Sequence, residues 1–186
     1  MDREQHLEKI YRKGQETSSL FSSYWEKYSD FGNWHFWLVL ASLIIPLVLL
    51  YFTVDRKRIF EVFFFGYTVH IMWTYTELAL TNSGYVIRGY YLTPLLPRSI
   101  NITASVLPIG FLLLYQYCTN HKKSFMLYTL VLSAVFAFIL APIEGALNII
   151  ELKKGITSFH FYVIDLIIVF LAYWFTRFIL KLRQRV

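Results

Sequence analysis

Three carboxylates interrupt otherwise apolar stretches of the chain and are its best candidates for chemistry: Glu77, Glu144 and Asp165. A charge in the middle of a membrane-spanning helix costs about 2.5–3.5 kcal/mol on insertion scales, so such residues usually face protein or water rather than lipid. A buried carboxylic acid can act as a general acid, and a buried carboxylate can bind a ligand. These three residues are therefore the candidate catalytic residues, and we expect them to point into the fold.

Glu144 closes a run of small residues that recur at every fourth position. The small residues are Ser133, Ala137, Ala141 and Gly145. This spacing puts a flat stripe on one helix face, against which a neighbouring helix can pack closely. The neighbour could belong to the same chain or to a second copy, so a homo-oligomer stays open.

The composition places these residues in a membrane protein. Of the 186 residues, 56% are hydrophobic and only 16% are charged, whereas a typical soluble domain has about 25% charged residues. A helix that crosses a bilayer needs about 20 apolar residues, and five segments qualify. The predicted spans are residues 34–54, 59–81, 100–118, 125–147 and 160–180. The fold class is therefore all-α: a polytopic bundle of five transmembrane helices over residues 33–186.

Residues 1–32 form a separate amphipathic segment. Apolar side chains such as Leu7, Ile10 and Tyr11 recur at helical spacing between Lys, Arg and Glu. This pattern predicts a helix that lies on the membrane surface or binds a partner; a partly disordered tail is the third interpretation. The polar run at 17–19 is predicted to divide the helix.

The basic residues predict the orientation of the chain. One side collects Arg56, Lys57, Arg58, Lys122, Lys123, Lys181, Arg183 and Arg185, and the other collects Lys27, Arg88, Arg98, Lys153 and Lys154. Because basic loops favour the cytoplasm, we expect a multi-pass protein of the cell membrane with its N-terminus outside and its C-terminus in the cytoplasm. The net charge of +6 thus flanks membrane spans and indicates no nucleic-acid partner.

This topology gathers most of the polar residues at the outer side. The predicted ligand-binding residues are His70, Trp73, Glu77, Arg88, Arg98, Asn101, Glu144 and Asp165. The long loop 82–99 carries the two arginines and is predicted to lie on the membrane surface. Two interpretations stay open: the carboxylates form a binding site, or they pair with Arg88 or Arg98 and hold this loop against the bundle. His70 by itself is more typical of a packing histidine than of a ligand.

Motifs for metals and cofactors are missing from the sequence. There is no phosphate-binding loop, no zinc-ligand spacing and no nucleophile elbow, and the single cysteine, Cys118, excludes both an internal disulfide and a cysteine-built zinc site. We therefore expect neither a metal nor a cofactor.

Several segments together resemble a known family. They are Asn33-Trp34, Val54–Arg58 with Glu61 and Gly66, Leu96-Pro97-Arg98, Leu107-Pro108, Tyr115–Tyr117 and Phe136–Ile139. Their order and spacing resemble an uncharacterised family of small five-span membrane proteins from endospore-forming bacteria. In that family a Glu precedes the proline of the fourth span; here that position is Ala141, and the carboxylate follows at Glu144. The resemblance implies membrane location and topology and supplies no activity.

Three functions follow from these observations. The first is a non-enzymatic protein whose outer polar pocket binds a lipid, a small amphiphile or a membrane protein partner within the bilayer. The second is a membrane-embedded enzyme of prenyl or lipid chemistry, similar to cyclases, with Glu144 as the acid and Glu77 or Asp165 as its partner. The third, an ion or proton pathway, ranks lowest because the cytoplasmic halves of the spans are almost purely apolar, apart from Glu61.

Overall fold

The computed structural model describes residues 2–95 and 99–183 and shows an all-α protein that is 79% helical. Its helices are α1 (Arg3–Tyr28), α2 (Trp34–Thr53), α3 (Ile59–Asn82), α4 (Leu107–Asn120), α5 (Phe125–Val135), α6 (Ala141–Ala146) and α7 (Ser158–Arg183). A π-helical segment, Ile102–Val106, leads into α4, and a second one, Phe136–Leu140, joins α5 to α6. The two strands are β1 (Val86–Arg88) and β2 (Ile150–Leu152).

Four helical stretches are long and apolar enough to cross a membrane. They are Trp34–Thr53, Ile102–Asn120, Phe125–Ala146 and Ser158–Leu182. Large apolar side chains on them face outward, among them Ile45, Phe138 and Phe175. A soluble monomer rarely exposes so much contiguous apolar surface. The chain is therefore a membrane protein with several transmembrane helices.

Helix α3 lies inside the bundle, between α4 and α7. Its buried residues include Val62, Phe65, Val69 and Trp73, which recur every three to four positions and so share one face. Gly66 lies on the same face, and a Cβ built there would come within 2.5 Å of Leu112 Cδ1 on α4. The missing side chain therefore lets α3 and α4 pack closely.

The loop that follows α3 forms an antiparallel ribbon with the loop that follows α6. Strand β1 pairs with β2, so that Ile87 lies opposite Glu151 and Arg88 lies opposite Ile150. Gly89 continues the ribbon, because its N–H donates to the carbonyl of Ile149 at 3.0 Å. The strand pairing thus ties the loop after α3 to the loop after α6, a contact that the sequence did not predict.

Helix α1 is continuous, and the predicted break at 17–19 is wrong. The hydroxyls of that run bond back to the helix: Thr17 Oγ1 donates to the carbonyl of Lys13 at 2.8 Å, and Ser19 Oγ donates to that of Glu16 at 2.8 Å. Hydroxyl groups used in this way do not compete for the helical N–H groups. Asp2 caps the helix by accepting from Gln5 N at 3.0 Å.

Candidate functional site

Arg88 joins two carboxylates in the interior of the protein. Its Nε donates to Glu77 Oε1 at 2.9 Å, and its Nη1 donates to Glu144 Oε2 at 3.1 Å. All three side chains are buried. Glu77 comes from the last turns of α3 and Glu144 from α6, while the ribbon carries Arg88 between them.

These ion pairs keep Arg88 charged. Burial alone would lower the pKa of the guanidinium, but the charges of Glu77 and Glu144 outweigh it and raise that pKa above its usual range. Arg88 is therefore a permanent cation that fixes the ribbon to α3 and α6. This geometry matches the interpretation in which the carboxylates hold the long loop against the bundle.

Asp165 lies near this ion-pair cluster and has a different partner. It is 2% exposed, and its Oδ1 accepts a hydrogen bond from Trp73 Nε1 at 2.9 Å. This indole is its one hydrogen-bond donor among residues 2–95 and 99–183. Trp73 is neutral, so Asp165 lacks the cationic partner that Glu77 and Glu144 have.

A small cavity, here called the carboxylate cavity, separates Asp165 from the ion pairs. Its volume is about 40 Å³, which suits one or a few water molecules and is well below the roughly 300–1,000 Å³ of most ligand pockets. Its lining combines three carboxylates and one guanidinium with mostly apolar side chains. The lining residues are Trp73, Glu77, Arg88, Ile102, Leu107, Phe136, Ala137, Leu140, Ala141, Glu144, Ile150, Phe161 and Asp165.

Both π-helical segments border this cavity, and each is followed by a proline. In the first segment Leu107 N–H bonds to the carbonyl of Ile102, so it does not reach Thr103, its usual acceptor four residues earlier. Pro108, the next residue in line, has no N–H. The Thr103 carbonyl is instead bonded by His70 Nδ1 at 2.7 Å. His70 is therefore a packing histidine that satisfies a freed backbone group.

The second π-helical segment repeats this geometry without such a donor. Ala141 N–H bonds to the carbonyl of Phe136, and Pro142 cannot donate. The carbonyl of Ala137 thus loses its helical partner, and no side chain in the described part of the chain donates to it. Ala137 is buried and lines the cavity. A buried carbonyl without a donor costs about 1–3 kcal/mol, so this one is a candidate acceptor for a bound molecule.

The structure brings together five of the predicted site residues: Trp73, Glu77, Arg88, Glu144 and Asp165. Two others, His70 and Asn101, lie outside the cavity. Asn101 Nδ2 donates to Ser42 Oγ on α2 at 2.8 Å. Arg98 lies outside the described residues.

The sequence did not predict the apolar walls of the cavity. Phe136 and Leu140 come from the second π-helical segment, Phe161 from α7 and Ile150 from the ribbon. The helical spacing of the predicted span 160–180 could have shown that Phe161 lies one turn before Asp165 and so on the same face. Ile150 gave no signal, because its place depends on the strand pairing.

A second polar cluster closes the opposite end of the bundle. Arg58, just before α3, pairs with Glu61 and donates to Thr119 Oγ1 at 2.9 Å. Tyr115 of α4 donates its hydroxyl to Glu61 Oε1 at 2.6 Å. The Glu61 bond and the charges of its neighbours raise the pKa of Arg58. This cluster ties α3 to α4.

The described residues contain no group of three or more His, Cys, Asp or Glu side chains arranged to hold a metal ion. The chain matches no family model, no curated protein and no solved structure. Its resemblance to a five-span bacterial family therefore stays a prediction from the residues quoted above.

Proposed function

We propose that the chain crosses the membrane five times, with α3 as the fifth crossing helix. Helix α3 has 24 residues, about 36 Å at 1.5 Å per residue, against a hydrocarbon core of about 30 Å. It runs antiparallel to α4: Arg58 contacts the end of α4, Gly66 lies beside Leu112, and His70 reaches Thr103. This antiparallel packing along the candidate span that contains α4 supports α3 as a fifth crossing helix.

Helix α3 is not among the four stretches that qualify as spans by length and composition, and polar residues interrupt its apolar sequence. His70 and Glu77 bond to groups inside the protein. In this proposal the ribbon and the carboxylate cavity lie on the outer side of the cell membrane, and the basic turn Arg56–Arg58 lies in the cytoplasm. Helix α1 lies at the outer surface, with Leu7, Ile10 and Tyr11 available to the lipid interface.

The function that the geometry supports best is binding of a small amphiphile with a hydrogen-bond-donating cationic head, such as an ammonium group. The observation that carries this proposal is an excess of acceptors at the carboxylate cavity. Three carboxylates surround it with one guanidinium, and the carbonyl of Ala137 adds another acceptor. Since ionised groups are costly to bury without a counter-charge, a cation beside Asp165 would stabilise the site.

The apolar walls support the amphiphilic part of this proposal. Ile102, Leu107, Phe136 and Leu140 would contact the methylene groups next to the head group, while the carboxylates would take the head group itself. Pockets with mostly apolar walls and a few placed polar groups are typical of small-molecule sites.

Mass spectrometry of the purified protein in mild detergent, under conditions that preserve bound molecules, tests this function. We expect a co-purifying cationic amphiphile in the wild type and its loss in Asp165→Asn, which keeps the shape of the side chain but removes its charge. Glu16→Gln is the matched control, because Glu16 is an exposed carboxylate of α1 away from the carboxylate cavity. Retention of the same molecule in Asp165→Asn would contradict the proposal.

An enzyme of lipid chemistry is the second candidate, and one observation favours it. Glu77 and Glu144 both accept from the cationic Arg88, whereas Asp165 accepts only from a neutral indole. Within this alternative the general acid is therefore Asp165 rather than Glu144. Lipid extracts distinguish the two functions: an enzyme predicts a product that disappears in Asp165→Asn, and a binding protein predicts an unchanged lipid profile.

A further inference from the structure

A larger groove lies directly outside the carboxylate cavity. It has a volume of about 660 Å³ and runs between α1 and the ribbon. Leu20, Phe21 and Tyr24 form one wall, and Ile87 belongs to the opposite wall. The groove falls within the range of small-molecule pockets, about 300–1,000 Å³, whereas the cavity does not.

Helix α1 borders this groove with its C-terminal part, which bonds to the loop after β1. Tyr24 Oη donates to the carbonyl of Gly89 at 3.1 Å, and Trp25 Nε1 donates to that of Tyr91 at 3.0 Å. Tyr91 Oη in turn donates to the carbonyl of Phe21 at 3.2 Å. These bonds fix one wall of the groove to the loop that follows Arg88.

The groove and the cavity share two lining residues, Arg88 and Ile150. These two residues, which pair across the ribbon, line both spaces, so the groove and the cavity adjoin there. The groove is lined by aromatic and aliphatic side chains together with Asn148 and Glu151, whereas Glu77, Glu144 and Asp165 line the cavity. A molecule whose cationic head lies among the three cavity carboxylates would therefore have room for a larger apolar body only in the groove.

We propose that the groove between α1 and the ribbon is the outer part of the same binding site and holds the apolar body of the cationic amphiphile. The inference rests on the proposed binding function and deepens it. It assigns the head group to the cavity beside Asp165 and the hydrocarbon body to the space beside Leu20, Tyr24 and Ile87. Ligands with a longer apolar body should therefore bind more tightly until the groove is full.

Alkylammonium ions of graded length, from butylammonium to decylammonium, test this inference on the full chain in lipid nanodiscs. Burial of each methylene adds about 0.8 kcal/mol, or about fourfold in affinity. Leu20→Trp fills the groove from α1, and Ile87→Trp fills it from the ribbon; both positions are exposed. Binding is compared with the wild type at equal probe concentration, so that partitioning into lipid cancels from the ratio.

We expect each groove variant to weaken decylammonium binding at least tenfold and to leave butylammonium binding unchanged. Leu7→Trp is the matched control, because Leu7 is an exposed leucine of α1 away from the groove; it should change neither. Asp165→Asn should weaken both probes. If both groove variants keep the full dependence on chain length while Asp165→Asn weakens binding, the inference is wrong and the proposed function stands. If Asp165→Asn weakens neither probe, both are wrong.

Discussion

At the scale of single residues, Arg88 decides how the ribbon and the bundle fit together. It is a buried cation between two buried carboxylates. Such an arrangement is weak support for stability as a whole, but removal of one partner leaves uncompensated charge in the interior. Substitution of Arg88 should therefore destabilise the protein far more than substitution of a residue in an exposed ion pair.

We expect Arg88→Met to destabilise the protein by about 3–5 kcal/mol, because Glu77 and Glu144 would lose their counter-charge. Equilibrium unfolding in mixed micelles measures this change. Lys153→Met is the control, since Lys153 and Glu151 form an exposed pair worth about 0–1 kcal/mol. Adding Glu77→Gln and Glu144→Gln to Arg88→Met should recover most of the loss. Equal costs for Arg88→Met and Lys153→Met would contradict a structural role for the buried pairs.

The residues of this site were partly predictable. Topology alone placed Glu77, Glu144 and Asp165 at one side of the bundle, and the structure brings them to one cavity. The topology inferred from the sequence could not place His70, because the Thr103 carbonyl that His70 binds is freed only by a local change from α-helix to π-helix. A helical face identifies which side chains point inward and does not identify their partners.

At the scale of secondary-structure elements, the two π-helical segments shape the cavity. The residue after each segment donates its N–H to the carbonyl five residues earlier, and the residue after that is a proline, which has no N–H. One backbone carbonyl in each segment therefore lacks its usual helical donor. The first segment is completed by His70, and the second is left with an open carbonyl. π-helical turns inside α-helices occur frequently at functional sites, and here the incomplete one faces the carboxylates.

A double-mutant cycle on His70 and Pro108 tests this account of the first segment. His70→Phe keeps a ring but removes the donor, so we expect it to destabilise the wild type by about 1–3 kcal/mol. Pro108→Ala restores an N–H five residues after Thr103. In that background the cost of His70→Phe should fall below about 1 kcal/mol, measured by the same unfolding assay. Strict additivity of the two substitutions would show that His70 does not serve the Thr103 carbonyl.

The ribbon shows what the sequence could not predict at this scale. Each strand has only three residues, too few for the alternation of apolar and polar side chains to stand out. Val86 and Leu152 pair across more than sixty residues of chain, and no local signal encodes such a contact. The helices were easier: α2 begins at Trp34, the predicted start of the first span, and Asn33 Oδ1 caps it by accepting from His35 N at 2.9 Å.

At the scale of the whole molecule, the two ends of the bundle are built differently. One end is closed by Arg58, Glu61 and Tyr115 in direct contact. The other end holds a cavity and a groove under a helix that docks by its last turns. A binding site open to one side needs this asymmetry, because the closed end supplies rigidity and the docked helix leaves room for access.

The membrane topology on which this asymmetry depends can be tested by cysteine labelling. Cys118 is buried, and Cys118→Ala gives a background without reactive thiols. Thr53→Cys precedes α3 and Ser83→Cys follows it; both positions are exposed. If α3 crosses, a membrane-impermeant maleimide added to intact cells should label Ser83→Cys, and Thr53→Cys should react only after permeabilisation.

Two further exposed positions serve as references on either side: Ser124→Cys should behave like Thr53→Cys, and Thr157→Cys should behave like Ser83→Cys. None of the four substitutions changes a charge, so the Lys and Arg distribution that orients the chain is kept. Reaction of Thr53→Cys and Ser83→Cys from the same side would mean that α3 does not cross. The reverse labelling of all four would keep five spans but turn the carboxylate cavity toward the cytoplasm, and its ligand would then have to come from inside the cell.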